Sequence, residues 1–237
     1  MAPALHVVPA AEFGRASAAV VLSLAAGFER PVIGLPTGST PLGLYRELSE
    51  LVSRGELDVS LWRPVAIDEY VGPREHPCSN RSYFVRHWDA IPGAPAVEQF
   101  EPQSSDPYGE ASSFAARLAA AGGLDVAVLG IGINGHVAFN EPGSRADSGA
   151  RPVSLHEESR RSAAACWGAD TPERGLTLGM AELLAARCVV LLANGHAKAG
   201  VIARALRSPV SSECPASFLQ RHDHLEVVLD EQAASGL

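Results

Sequence analysis

Residues 5–8 read LHVV, and runs of the same kind recur as VIGL (32–35), PVAI (64–67), DVAVLG (125–130), VVLLA (189–193) and LEVVLD (225–230). They are apolar at nearly every position rather than at alternate ones, the pattern of strands covered on both faces. Helical segments separate them: an Ala-rich stretch over roughly 10–27, a helix from Pro41 to about Arg54, one near 80–88, one over roughly 107–121 and one over about 196–207. This alternation predicts an α/β fold, a mostly parallel sheet with helices on both faces. No linker, repeat or low-complexity tract divides the chain, so residues 1–237 are expected to form a single domain, with only the terminal AASGL frayed. Ligands of such sheets sit beyond the carboxyl ends of strands. The loops after the apolar runs are therefore where chemistry is sought.

Composition narrows the partners. Hydrophobic residues make up 46% and charged residues 19%, a globular balance. The net charge of −8, with no Lys/Arg block longer than two, argues against nucleic-acid or membrane partners. An anionic ligand would have to be held by local backbone dipoles and a few cations. Ala18–Gly27 is too short to span a bilayer and has no basic leader, so it reads as a helix and not a signal peptide. Cys78, Cys166, Cys188 and Cys214 are widely spaced without C-x-x-C, and all four are expected to be reduced thiols of a cytoplasmic protein.

Three stretches carry candidate chemistry. In GLPTGSTPLGLYREL (34–48) a strand ends in the polar loop Thr37-Gly38-Ser39-Thr40, and Pro41 is expected at the first helical position. Free N–H groups and the positive helix end would favour an anion such as phosphate. Read alone, the loop is equally an ordinary capped turn. In AIDEYVG (66–72), Asp68 and Glu69 follow an apolar run directly. On a strand they face opposite ways, so one of them can enter a given pocket, where partial burial would raise its pKa toward that of a general base. A solvated loop carrying two charges is the alternative.

The third stretch is VLGIGINGHVAFNE (128–141). Gly130, Gly132 and Gly135 have dinucleotide-loop spacing, but HVAFNEPG is not a helix opening and the stretch lies past mid-chain, against a nucleotide cofactor. His136 titrates near neutrality unaided, and Glu141 could hydrogen-bond it if the chain folds back. Asn134 and Asn140 crowd the same loop. His222 and His224 near Cys214, and His76 with Cys78, lack a full metal-ligand set; the histidine pair reads as a solvated turn, and no metal is expected.

Taken together, LPTGSTP (35–41), DEYVG (68–72), GIGINGHVAFNEPGS (130–144) and, more weakly, LLANGHAKA with Lys198 (191–199) resemble the glucosamine-6-phosphate deaminase (isomerase) family. The related 6-phosphogluconolactonases have a different run after the histidine. The resemblance implies a Rossmann-like fold and conversion of glucosamine-6-phosphate to fructose-6-phosphate and ammonia, with no cofactor. By this likeness His136 assists ring opening with Glu141 and Asn134 as relay partners. Asp68 moves the C2 proton to C1, and Thr37, Gly38, Ser39, Thr40 and Lys198 hold the phosphate.

Two departures stand out. Asn134 occupies a position where family members often have Asp. The phosphate-binding arginine expected a few residues beyond Ser159-Arg160 is replaced by Ala165. Arg160 or Arg161 takes over, or phosphate is held less tightly, or the substrate is another amino sugar. Little sequence follows 225–230, from which a monomer or small homo-oligomer without N-acetylglucosamine-6-phosphate activation is expected. A lactonase is the alternative enzyme. A sugar-phosphate-sensing regulator is disfavoured by the short segment before the 35–41 loop and by the acidic charge.

Overall fold

The computed structural model describes residues 3–237. In chain order these form β1 (Ala4–Val8), α1 (Phe13–Ala25), β2 (Val32–Leu35), α2 (Leu42–Ser53), β3 (Arg63–Ala66), β4 (Asp68–Tyr70), α3 (Asn80–His87), α4 (Pro107–Ala120) and β5 (Val126–Gly130). Then follow β6 (Arg151–Ser154), α5 (Glu157–Trp167), β7 (Arg174–Thr177), α6 (Met180–Leu184), β8 (Cys188–Ala193), α7 (Ala199–Arg207), β9 (Leu225–Asp230) and α8 (Glu231–Ala234). The six apolar runs are β1, β2, β3, β5, β8 and β9. They make one parallel sheet in the order β1-β9-β8-β5-β2-β3.

The sheet explains why these strands are apolar throughout. Val126 and Val128 of β5 face a core that contains Phe13, Leu44 and Phe84 of α1, α2 and α3. Ala127 and Leu129 face the opposite core, which contains Phe114, Leu183 and Ile202 of α4, α6 and α7. The inner strands thus feed two cores, where an unpartnered polar residue on either face would be costly, whereas the edge strand β1 leaves Leu5 and Val7 exposed. No helix among the described residues is long and apolar enough to cross a membrane.

From β2 the chain moves outward to β3, whereas from β5 it moves the other way through β8 to β9. Loops leaving the adjacent β2 and β5 therefore diverge, and a crevice opens between them at the carboxyl edge. These two strands pair only through Ile33↔Val126 and Gly34↔Ala127, while β5 and β8 pair over five positions.

A second, antiparallel sheet in the order β4-β7-β6 was not expected from the sequence. Its strands are three or four residues long and only half covered in β6, too short for periodicity to register. It matters because the chain passes from β3 through Ile67 into β4, where Asp68 pairs with Thr177. Backbone pairing fixes Asp68 above the main sheet.

Five expectations need correction. Pro41 is the residue before α2, not its first residue, and the expected 196–207 helix opens as a 3-10 turn, His196–Lys198, before α7. The C-terminal AASGL is ordered by packing: Asp230 caps α8 by accepting from Ala233 N at 2.7 Å, and Ala233 is fully buried. His222 is buried instead of sitting in a solvated turn, with Nε2 2.8 Å from Ala186 O. Finally, Cys78 and Cys166 are joined as a disulfide with Cα atoms 5.9 Å apart, while Cys188 and Cys214 are free. The end of α5 lies on the β4–α3 connection, where Trp167 stacks on His76 at 3.9 Å and meets Tyr70 edge-on at 5.6 Å. That packing brings together two thiols 88 residues apart.

Candidate active site

The carboxyl-edge loops of the main sheet surround a cavity of about 330 Å³. β2 leads into Thr37–Thr40, β3 through Ile67 to Asp68, β5 to Asn134 and His136, and β8 to Lys198, and all of these line it. Asp68 and His136 thus share one cavity. Glu141 lies behind His136, away from the lining.

His136 is held by its own loop. Its Nδ1 lies 3.3 Å from Glu141 Oε2 and 3.2 Å from Ser159 Oγ. Asn134 Nδ2 donates to the same Oε2 at 2.8 Å, while Asn134 Oδ1 accepts from His136 N at 3.1 Å. Asn134 therefore orients both partners, and Glu141 carries the charge. The imidazole lies so close to Gly132 that a Cβ there would sit 2.5 Å from both ring nitrogens, which is why this position is bare.

The fold-back that brings Glu141 to His136 is a tight reversal. Asn140 N donates to Val137 O at 3.0 Å, and Asn140 Nδ2 donates to Val137 O and Leu178 O. Within it Ala138 has φ +49°, the sole positive value among described non-glycine residues. Such a conformation costs on the order of 1–3 kcal/mol and persists only where surrounding contacts enforce it. Burial alone would raise the Glu141 pKa; the hydrogen bond and charge of His136, with Ser159 and Asn134, instead hold it down at about 2. The carboxylate is thus a permanent anion against the imidazole.

Asp68 is the opposite case. Burial, reinforced by the neighbouring Glu69 and by Glu141, pushes its carboxyl up to about 8, although a hydrogen bond from Asn80 opposes the rise. Glu69 points away from the cavity and accepts three backbone N–H groups, those of Tyr70, Asn80 and Arg81. The two adjacent carboxyls face opposite ways, as alternation on a strand requires. Asp68 can take a proton near neutral pH, and Glu69 anchors α3.

The remaining wall suits an anion. The N–H groups of Gly38, Ser39 and Thr40 donate to no other described residue and stand before α2. Two tyrosine hydroxyls shape this loop, buried Tyr45 donating to Pro36 O at 2.6 Å and half-buried Tyr83 to Gly38 O at 2.8 Å. Lys198 Nζ reaches across to donate to Ile131 O at 2.6 Å, and burial lowers its pKa. Arg160 and Arg161 do not line the cavity. They turn outward, Arg160 to Glu173 at 3.3 Å and Arg161 to Glu157 and Glu158 at 2.7 Å. The α5 face that does line the cavity carries Glu158, Ser159 and Ser162, because a helix turns neighbours about 100° apart.

Sequence reading missed Asn80, Ser159 and Tyr70. Ser159 and Tyr70 adjoin the motifs that were noticed, and Ser79 as a helix cap was the available pointer to Asn80.

The family described as glucosamine-6-phosphate isomerases/6-phosphogluconolactonase matches residues 10–229. A glucosamine-6-phosphate deaminase of Beutenbergia cavernae is 39% identical over 98% of this chain and 93% of its own. One of Rhodococcus opacus is 44% identical over 86% and 81%. Among solved structures, a monomeric glucosamine-6-phosphate deaminase superposes with a TM-score of 0.94 at 28% identity, covering 99% of this chain and all of the other. A 6-phosphogluconolactonase of Trypanosoma brucei shares the fold, with a TM-score of 0.79 at 23% identity over 99% and 98% of the chains. With nearly the whole length matched, and the loops around the cavity inside the matched region, this chain belongs to the glucosamine-6-phosphate isomerase/6-phosphogluconolactonase family.

Proposed function

We propose that the protein is a glucosamine-6-phosphate deaminase, converting glucosamine-6-phosphate and water to fructose-6-phosphate and ammonia. The observation that carries this reading is the pairing, in one cavity, of a buried carboxyl near neutral pKa (Asp68) with an imidazole backed by a carboxylate (His136 and Glu141). The phosphate is held by the N–H groups and hydroxyls of 37–40 and by Lys198, with no contribution from Arg160 or Arg161. His136 takes the proton of the C1 hydroxyl and delivers one to the ring oxygen, and Glu141 balances the imidazolium. Asp68 then removes the C2 proton of the open-chain amino sugar while a proton of its 2-ammonium group passes to the carbonyl oxygen, leaving an enolamine. Returning that proton to C1 gives a 2-imine. Water adds to the imine carbon, and ammonia leaves. Positioned acid–base groups of this kind contribute about 10²–10⁴-fold each.

The protein acts as a single domain, on a small amino sugar phosphate rather than on nucleic acid or a membrane, as a monomer or small homo-oligomer in the cytoplasm. It needs neither metal nor organic cofactor for these proton transfers. Because a cytoplasm keeps most thiols reduced, trapping of Cys78 and Cys166 in cell extracts tests the location. The function is tested by following ammonia and fructose-6-phosphate from glucosamine-6-phosphate, alongside galactosamine-6-phosphate, unphosphorylated glucosamine and 6-phosphogluconolactone. Turnover of the first is expected. Activity confined to the lactone, or absent throughout, overturns the reading, and preference for another amino sugar reassigns the substrate.

A further inference from the structure

One side chain joins the anion loop to the carboxyl that moves the proton. Asn80 opens α3, and Ser79 caps that helix by accepting from Ser82 N at 3.0 Å. The first turn is pinned to β4 because Asn80 N and Arg81 N donate to the two oxygens of Glu69 at 2.9 and 2.8 Å. The Asn80 carboxamide, 4% exposed, is thereby carried to the back of the cavity. Its Nδ2 donates to Asp68 Oδ1 at 2.6 Å and to Asp68 O at 3.0 Å, and its Oδ1 accepts from Thr37 Oγ1 at 3.0 Å. The flipped amide would set an oxygen against two acceptors of Asp68, so the network itself fixes the orientation.

We propose that Asn80 is a positioning residue that couples the 37–40 loop to Asp68, aiming the carboxyl at the substrate when that loop is in place. The inference rests on the deaminase reading above and adds a residue to it. Both amide protons are spent on Asp68, so Asp68 is locked about its side-chain torsions and Oδ2 is left for the C2 proton. Occupancy of the loop by phosphate steadies Thr37, Thr37 steadies the carboxamide, and the carboxamide steadies the base. The groups that face Asp68 are Glu69 and Tyr70 on its own strand, Tyr45 on α2 and Glu141 on the loop after β5. All of these acquire negative charge or none; the cations of the same cavity, His136 and Lys198, make no hydrogen bond to Asp68, and Asn80 is the bonded side chain that favours its ionised form.

The test uses Asn80→Ala and Asn80→Asp in the full chain, with thermal melts to establish that both fold. Both variants are expected to lower kcat by roughly tenfold or more, within the range of a positioned base, and to move KM by less than about threefold. The acid limb of the kcat/KM profile shifts to higher pH in Asn80→Ala, and further in Asn80→Asp, where a second carboxyl meets Asp68. Carbon-13 NMR of the Asp68 carboxyl, which needs no substrate, should report the same upward shift. If the wild type turns over no amino sugar phosphate, the deaminase reading falls while the NMR titration still judges Asn80. An unmoved titration, or losses that follow only melting temperature or KM, overturns the proposal.

Discussion

Replacing Glu141 by glutamine removes a charge and keeps the outline of the side chain, so its effect can be worked from the surroundings of that one carboxyl. The folded carboxyl titrates at about 2 against an ordinary 4.5. A depressed carboxyl stabilises the fold above its unfolded value, and that stabilisation is lost as pH falls through the folded one. The difference corresponds to about 3 kcal/mol at pH 6 and, with part of the population already protonated, about half of that at pH 3. Glutamine mimics the protonated form. Urea unfolding of wild type and Glu141→Gln should therefore show a gap of about 3 kcal/mol at pH 6 that shrinks by about half at pH 3. Groups remote from residue 141 titrate in both proteins and cancel in the difference. Turnover should fall as well, since an imidazolium at His136 would lose its counter-charge. A gap that stays constant between pH 6 and pH 3 would show that the carboxylate is not held by His136, Ser159 and Asn134 as described.

Three further outcomes follow from the same geometry. On the proposed role of Asp68 as a base, with its carboxyl pushed up to about 8, kcat/KM should rise as pH increases through about 8 and level off above it. Asp68→Asn should remove about 10²–10⁴-fold of the rate, and a profile already flat at pH 6 contradicts the assignment. Gly132→Ala places a methyl 2.5 Å from the His136 nitrogens and should cost about 10²-fold in kcat by displacing the ring, with the melting temperature as control. Reducing Cys78–Cys166, which closes an 88-residue separation, should cost about 3–5 kcal/mol in unfolding free energy; a melt indifferent to dithiothreitol argues against the bridge in solution.

The main sheet was legible because its inner strands fill two cores, so their runs of apolar residues are continuous and need no tertiary information to be seen. VIGL is the clearest instance, coinciding with β2 residue for residue. The small sheet was illegible for the converse reason: RPVS and RGLT are held by pairing with each other and not by a periodic apolar face. The cavity-lining motifs could be found because bare glycines and adjacent carboxylates are costly without a purpose. Asn80 could not, since its role comes from α3 being anchored on Glu69, a contact formed by folding. The bridge between Cys78 and Cys166 was hidden by its 88-residue separation, and the outward turn of Arg160 and Arg161 by helix phase.

The short pairing of β2 with β5 has a consequence for how the molecule responds to a ligand. The 37–40 loop hangs from one side of that seam, and the imidazole loop from the other. Two ladder pairs and the two hydrogen bonds between Val32 and Asp125 stitch the halves together there, the shortest ladder of the main sheet. A sugar phosphate held at both ends would act as a removable staple, and the protein's rigidity would come partly from its own substrate.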